Sequence, residues 1–198
     1  MVKPAMLTGE GAAQARDLAA GVERAAREAG ALALGFFRAS APTSARIWQK
    51  AGNSPVTEAD MAVDALLRQR LSALAPDFHW LSEEAEPTPH GGDRPVWIVD
   101  PIDGTRAFAA GEAQWGVSIA LVMQGVPVIG CFFMPARAAL YRAQRGEGAF
   151  CNDLRLDPDH ASRRAAGPHP VLDSLLSLDP TLEAHPKIPS LAARIAYV

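Results

Sequence analysis

Two apolar runs, Gly116 to Met123 and Val126 to Phe133, are separated only by Gln124-Gly125. Each run has the length of a strand, and a two-residue connection ending in glycine is enough to reverse the chain between antiparallel neighbours. This stretch is therefore committed to a hairpin. The signal repeats downstream, where Leu140 to Ala143 and Ala149-Phe150 flank the turn Arg145-Gly146-Glu147-Gly148. Upstream, Val96-Trp97-Ile98-Val99 reads as a strand ending in Asp100, and Phe78 to Leu81 as a shorter one.

Before the strands the period changes from two to 3.6. Leu18, Val22, Ala25, Ala29, Leu32 and Phe36 recur at alternating steps of four and three, which predicts a helix from about Thr8 to Phe37. Gly21, Gly30 and Gly35 weaken that helix or let a neighbour approach closely. A short strand is expected over Ala45 to Trp48, followed by the polar loop Lys50-Ala51-Gly52-Asn53-Ser54-Pro55. Thr57 then opens a second helix with Val63, Leu66, Leu67, Leu71 and Leu74 on its buried face, and Pro76 stops it. Two helices followed by hairpin-linked strands predict an α+β fold, an antiparallel sheet packed on two N-terminal helices.

Composition narrows the function classes. A net charge of -3 and a pI near 5.9 give no general attraction for a nucleic-acid polymer or an anionic membrane. An anionic ligand would need a local site. No segment approaches the roughly 20 apolar residues that span a bilayer, and the N-terminus lacks the apolar core of a signal peptide. A cytoplasmic location is expected. Cys131 and Cys151 lie in strand-like surroundings and read as free thiols.

The chemistry concentrates in Asp100-Pro101-Ile102-Asp103-Gly104-Thr105. Pro101 fixes φ and is expected to turn the chain, and Gly104 admits a backbone conformation that other residues avoid. Asp103 would fold back toward Asp100, with the Ile102 carbonyl between them, giving hard oxygen donors of the kind Mg²⁺ prefers. Thr105 to Ala110 predicts a short helix closed by Gly111. The competing reading is that Asp103-Gly104-Thr105 only makes a turn and caps that helix. Glu83-Glu84 is either a solvated pair or a metal ligand at a strand end. Asp60, three residues after Thr57, is either a capping-box residue or part of a site. A nucleophilic Asp-x-Asp-Gly-Thr motif is excluded, because Pro101 stands two residues before Asp103. None of His79, His90, His160, His169 and His185 has metal-pair or triad spacing.

In this order, Asn53-Ser54-Pro55-Val56-Thr57-Glu58-Ala59-Asp60, Leu81-Ser82-Glu83-Glu84 and Trp97-Ile98-Val99-Asp100-Pro101-Ile102-Asp103-Gly104-Thr105 resemble the inositol monophosphatase family. Trp115 to Leu121 and Arg145 to Phe150 extend the likeness, which covers most of residues 10–155. The resemblance implies a layered α/β/α/β sandwich of the sugar-phosphatase type. Residues 1–154 would form a metal- and phosphate-binding lobe, and 155–198 the start of an incomplete C-terminal α/β lobe. It also implies roles. Glu83, Asp100 and the Ile102 carbonyl would hold one Mg²⁺, and Asp100 with Asp103 a second. Thr105, oriented by Asp60, would activate water with Glu83 as a further catalytic residue. The amides of Gly104 and Thr105 would hold the phosphate of the substrate.

The implied activity is Mg²⁺-dependent hydrolysis of a small phosphorylated metabolite, such as inositol monophosphate, a 3'(2'),5'-bisphosphonucleoside or histidinol phosphate. A homodimer is the expected assembly. One departure stands out. The family's second metal takes a further aspartate from a Trp-Asp motif in the C-terminal lobe, and no such motif is present. Ser190 to Val198 reads as the start of a helix with Leu191, Ile195 and Val198 on one face, as if the chain were cut short. The alternative expectation is a catalytically weak or inactive homologue that acts by binding metal or a partner.

Overall fold

The computed structural model describes residues 9–50, 55–85 and 94–156, with the short pairs at 164–165 and 183–184. Helix α1 runs from Gly9 to Leu34, and the two-stranded hairpin β1 (Ile47–Gln49) and β2 (Pro55–Thr57) follows it. Helix α2 spans Glu58–Leu74. The main sheet is built from β3 (His79–Ser82), β4 (Val96–Asp103), β5 (Gly116–Met123), β6 (Val126–Met134), β7 (Ala139–Gln144), β8 (Gly148–Cys151) and β9 (Leu154–Leu156). Its strand order is the order of the chain. Helix α3, Thr105–Ala110, interrupts the meander between β4 and β5.

The expected α+β architecture holds, with α1 and α2 packed together on one face of the sheet. The apolar stripe of α1 is buried as its spacing demands, with Val22, Ala26, Ala29 and Ala33 fully enclosed. On α2, Val63, Leu67 and Leu71 are equally buried and meet Trp97, Val99, Ile119 and Leu121 of the sheet in one core. Two of the α1 glycines have a packing reason. A Cβ at Gly21 would meet the Leu74 side chain at 2.5 Å, and one at Gly30 would meet the Phe133 ring at 2.5 Å. The β5–β6 hairpin turns at Gln124 and Gly125, both at positive φ, which matches the right-handed strand twist.

Three expectations need correction. The sheet is mixed, because β3 pairs with β4 in parallel, from His79 opposite Val96 to Ser82 opposite Val99. Parallel neighbours need a long crossover rather than a hairpin, and 13 residues separate Ser82 from Val96. Strand β4 does not stop at Asp100 but continues through Pro101 to Asp103. Its register with β5 is irregular there, and this gives the proline a place that needs no ladder N–H. The strand expected over Ala45 to Trp48 begins later, at Ile47.

Strand β9 continues the main sheet through Leu156, pairing with β8. Beyond it, Arg164–Ala165 and Glu183–Ala184 form a two-residue parallel pair. The apolar segment at Val171 to Leu178 and the helix expected at Ser190 to Val198 lie outside the described residues. Among the described residues, no helix is long and apolar enough to cross a membrane.

Candidate active site

The site gathers at the end of β4. Asp100 pairs with Ser118 and Asp103 with Gly116, so three steps on β4 oppose two on β5. Ser118 and Gly116, two residues apart, share one face of the sheet. The bulge therefore places Asp100 and Asp103 on that same face, although three residues of regular strand would oppose them. Gly104 follows at φ 92 and ψ 36, a left-handed conformation that turns the strand directly into α3.

Helix α3 is fixed from below. Phe108 is fully buried, with its ring edge-on to Trp115 at 4.8 Å and 5.8 Å from Phe37. Its C-terminus is closed by Gly111 at φ 79. The loop after α1 then clamps it, with Ser40 N donating to Gly111 O at 2.9 Å and Thr43 N to Ala109 O at 3.1 Å.

Asp60 caps its own helix and also reaches Thr105. Its carboxylate accepts from Thr57 N at 2.8 Å and Thr57 Oγ1 at 2.5 Å while its own N–H donates to Thr57 Oγ1 at 3.4 Å, the reciprocal arrangement of a capping box. Its other oxygen, Oδ1, lies 3.3 Å from Thr105 Oγ1. The Thr105 hydroxyl also lies 3.0 Å from the Ile102 carbonyl oxygen, which brings Asp60, Ile102 and Thr105 into one cluster. Asp60 is 1% exposed, and that burial raises its pKa above the ordinary carboxylate range despite the hydrogen bonds that favour its charge.

Glu83 follows β3 directly, and its N–H donates to Val99 O at 3.2 Å, continuing the parallel ladder by one bond. Its carboxylate is close enough to Asp100 to act on that group's charge. Burial, then the negative charges of Glu83 and Asp103, push the Asp100 carboxyl up to about 9. Glu84 turns the other way, with a side chain only 5% exposed and Lys50 Nζ 2.6 Å from its Oε1. Lys50 also reaches Glu83 Oε1 at 3.5 Å. Burial opposes the Lys50 ammonium, yet its contacts with Glu84 and Glu83 outweigh this and raise its pKa.

Asp60, Glu83, Asp100, Ile102, Asp103, Gly104 and Thr105 thus lie on three neighbouring segments. Among the described residues, no three acidic, histidine or cysteine side chains close into a finished metal cage. The donor set nevertheless fits a hard cation. All its donors are oxygen, and Asp100 sits among like charges that a divalent ion would relieve. Two participants escaped sequence reasoning. Asp64 receives a short hydrogen bond from Ser82 Oγ, and Lys50 serves as counter-ion to Glu84. The one available signal was the four-residue step from Asp60 to Asp64 on α2.

A helix-backed sheet that ends in an acidic bulge and a threonine turn defines a class of protein. Residues 14–177 match the profile of the inositol monophosphatase family, and the chain belongs to it. A histidinol-phosphatase of Chlorobaculum parvum is 38% identical over 155 residues, 78% of this chain and 58% of that protein. A 3'(2'),5'-bisphosphate nucleotidase CysQ of Shigella flexneri is 36% identical over 62% of this chain and 50% of its own length. The chain therefore spans about half to three fifths of these relatives. Among solved structures, the extragenic suppressor protein suhB of Bartonella henselae superposes with a TM-score of 0.74 at 29% identity, covering 90% of this chain and 72% of that one. An IMPase/NADP phosphatase complexed with Mg²⁺ and phosphate shares the fold at a TM-score of 0.64 and 24% identity, over 74% of this chain and 59% of that one.

Proposed function

We propose that this chain carries the catalytic lobe of a Mg²⁺-dependent phosphomonoesterase acting on a small phosphorylated metabolite. The observation that carries the reading is the Thr105 hydroxyl held between Asp60 Oδ1 at 3.3 Å and the acidic bulge of β4. Family membership supports the reaction class, and the Mg²⁺ and phosphate bound by the IMPase/NADP phosphatase support the cofactor.

Glu83, Asp100, Asp103 and the Ile102 carbonyl would hold the cation. Bound there, it would supply Lewis-acid stabilisation of charge on the attacking and leaving oxygens. Thr105 donates its hydroxyl hydrogen to Asp60, which leaves lone pairs to accept a hydrogen from a water molecule and orient it. As the water attacks phosphorus, its proton passes toward Thr105 and the Asp60 carboxylate, and the P–O bond breaks to release an alkoxide that takes up a proton from solvent. The Gly104 and Thr105 amides belong to the start of α3, where backbone N–H groups have no intrahelical partner, and would take the phosphate oxygens. No covalent phosphoenzyme is needed. The substrates considered are inositol monophosphate, a bisphosphonucleoside and histidinol phosphate, the last two matching the reactions of the relatives named above.

The test is phosphate release from this substrate panel with and without Mg²⁺. Turnover should require the cation, stop on chelation and disappear in Asp103→Asn. Hydrolysis indifferent to both treatments would overturn the proposal.

A further inference from the structure

Among the described residues, strand β3 lies at the edge of the main sheet and has β4 as its one strand neighbour. It delivers Glu83 to the site, yet a four-residue edge strand is poorly held at its end. Among the described residues, only Glu83 N to Val99 O continues the ladder beyond Ser82. A constraint from another direction is needed if Glu83 is to keep a fixed place beside Asp100.

The Ser82 side chain supplies it. Ser82 is 5% exposed, and its hydroxyl has a single hydrogen to give. That hydrogen goes to Asp64 Oδ1 in a short contact. The oxygen then presents its lone pairs to the backbone N–H of Glu84 at 3.2 Å, and Ala85 N donates to Ser82 O at 3.2 Å to close the turn. Asp64 stands one helical turn after Asp60, so both project from the same side of α2. The helix that orients Thr105 through Asp60 therefore also holds the Glu83-Glu84 corner. Neither Asp64 nor Ser82 has a part in the hydrolytic steps.

We propose that Asp64 is a positioning residue for the metal site: acting through the Ser82 hydroxyl, it fixes the corner from which Glu83 presents its carboxylate. The inference rests on the reading of Glu83 and Asp100 as cation ligands. It makes α2 a common frame for the two sides of the site, so that the spacing between Thr105 and Glu83 is set by one rigid element. Ligand-supporting contacts of this kind usually alter metal affinity by about ten- to a hundredfold.

The test is calorimetric titration of the full chain with MgCl2, with a thermal melt of each variant in chelator to confirm folding. Asp64→Ala and Ser82→Ala should each weaken Mg²⁺ binding by about tenfold. The double variant should be no weaker than either single one, because both cut the same link. Asp64→Asn keeps an acceptor oxygen for the hydroxyl and should stay within about threefold of wild type, well short of the loss expected when the supporting contact is removed. Should Asp64→Ala fail to fold, Ser82→Ala and Asp64→Asn carry the comparison. Unchanged affinity in both alanine variants overturns the inference, as does additive loss in the double variant. Equal loss in Asp64→Asn and Asp64→Ala would overturn it too, because charge and not the hydrogen bond would then be the agent. Absence of Mg²⁺ binding in the wild-type protein would instead remove the ligand assignment itself and this inference with it.

Discussion

Thr105 Oγ1 and Asp60 Oδ1 lie 3.3 Å apart although the two residues are 45 positions apart in the chain. The contact joins the first residue of α3 to the first turn of α2, and Asp60 caps its own helix with its other oxygen. One carboxylate thereby links the folding of a helix to the orientation of a hydroxyl.

Removing either member of that pair should separate activity from stability. Thr105→Ala and Asp60→Asn are each expected to lower kcat by about a hundredfold or more, the usual weight of a positioned proton acceptor. Thr105→Ser should keep most of the rate. Asparagine keeps an oxygen to accept from the Thr57 N–H, so Asp60→Asn should cost at most about 2 kcal/mol of stability. Steady-state kinetics beside a urea melt would check both. A collapse in stability with no change in kcat would make Asp60 a cap and nothing more.

Asp100 should trade stability for cation binding. Its carboxyl is crowded by Glu83 and Asp103 in a half-buried setting. Asp100→Asn removes that repulsion, so the variant should melt at a higher temperature than wild type at pH 8 in chelator. It should also lose the rise in melting temperature that Mg²⁺ gives the wild type. Differential scanning calorimetry with and without the cation distinguishes this from a neutral change.

The metal-free protein should weaken as the solution becomes more alkaline. Asp100, Asp60 and Glu84 all have folded pKa values raised above the ordinary carboxylate range, Asp100 to about 9, with burial the leading cause in each. A group raised in this way contributes stability that is fully present below its unfolded value, near 4, and is lost as pH climbs to the folded value. The melting temperature in chelator should therefore fall between about pH 5 and pH 9. Lys50, also raised, loses its contribution only above that window. Mg²⁺ should flatten the decline, and a melting temperature that rises over this range would contradict the assignment.

Gly111 should resist replacement for a reason remote from the chemistry. It sits at φ 79, and an added Cβ would run into the carbonyl oxygens of Arg38 and Ala41. Gly111→Ala is expected to cost about 2–3 kcal/mol, the range of a strained left-handed residue, and to loosen α3 under Thr105. Denaturant melts give the first number, and the rate of the folded fraction gives the second effect.

Much of this was legible in residues whose signals are local. Gln124-Gly125 marks a hairpin because only certain residues accept two successive positive φ angles, and Gly104 and Gly111 bracket α3 on the same grounds. The stripe of α1 needs nothing but its own period. What could not be read depends on partners far along the chain. Nothing within His79 to Ser82 says whether its neighbour runs parallel, since that is decided by where the crossover lands. Pro101 reads as a stop signal under the rules for a regular ladder, and its tolerance depends on how β5 pairs across from it. Asp64 and Ser82, 18 residues apart, meet only once α2 and the sheet have packed. Asp60 reads as either cap or site because a sequence shows one neighbour at a time; the carboxylate has two oxygens, one 2.8 Å from Thr57 N and the other 3.3 Å from Thr105 Oγ1.

The bulge in β4 has a further consequence for how this chain can change. Deleting either Pro101 or Ile102 would give β4 and β5 an unbroken ladder, two steps against two, with Asp100 and Asp103 still on the same face of the sheet. Such a deletion variant would retain a well-paired sheet and both carboxylates on one face, but would lose one of the two residues that lie between them. In this strand the inserted residue sets the spacing of the acidic pair and leaves its shared face unchanged.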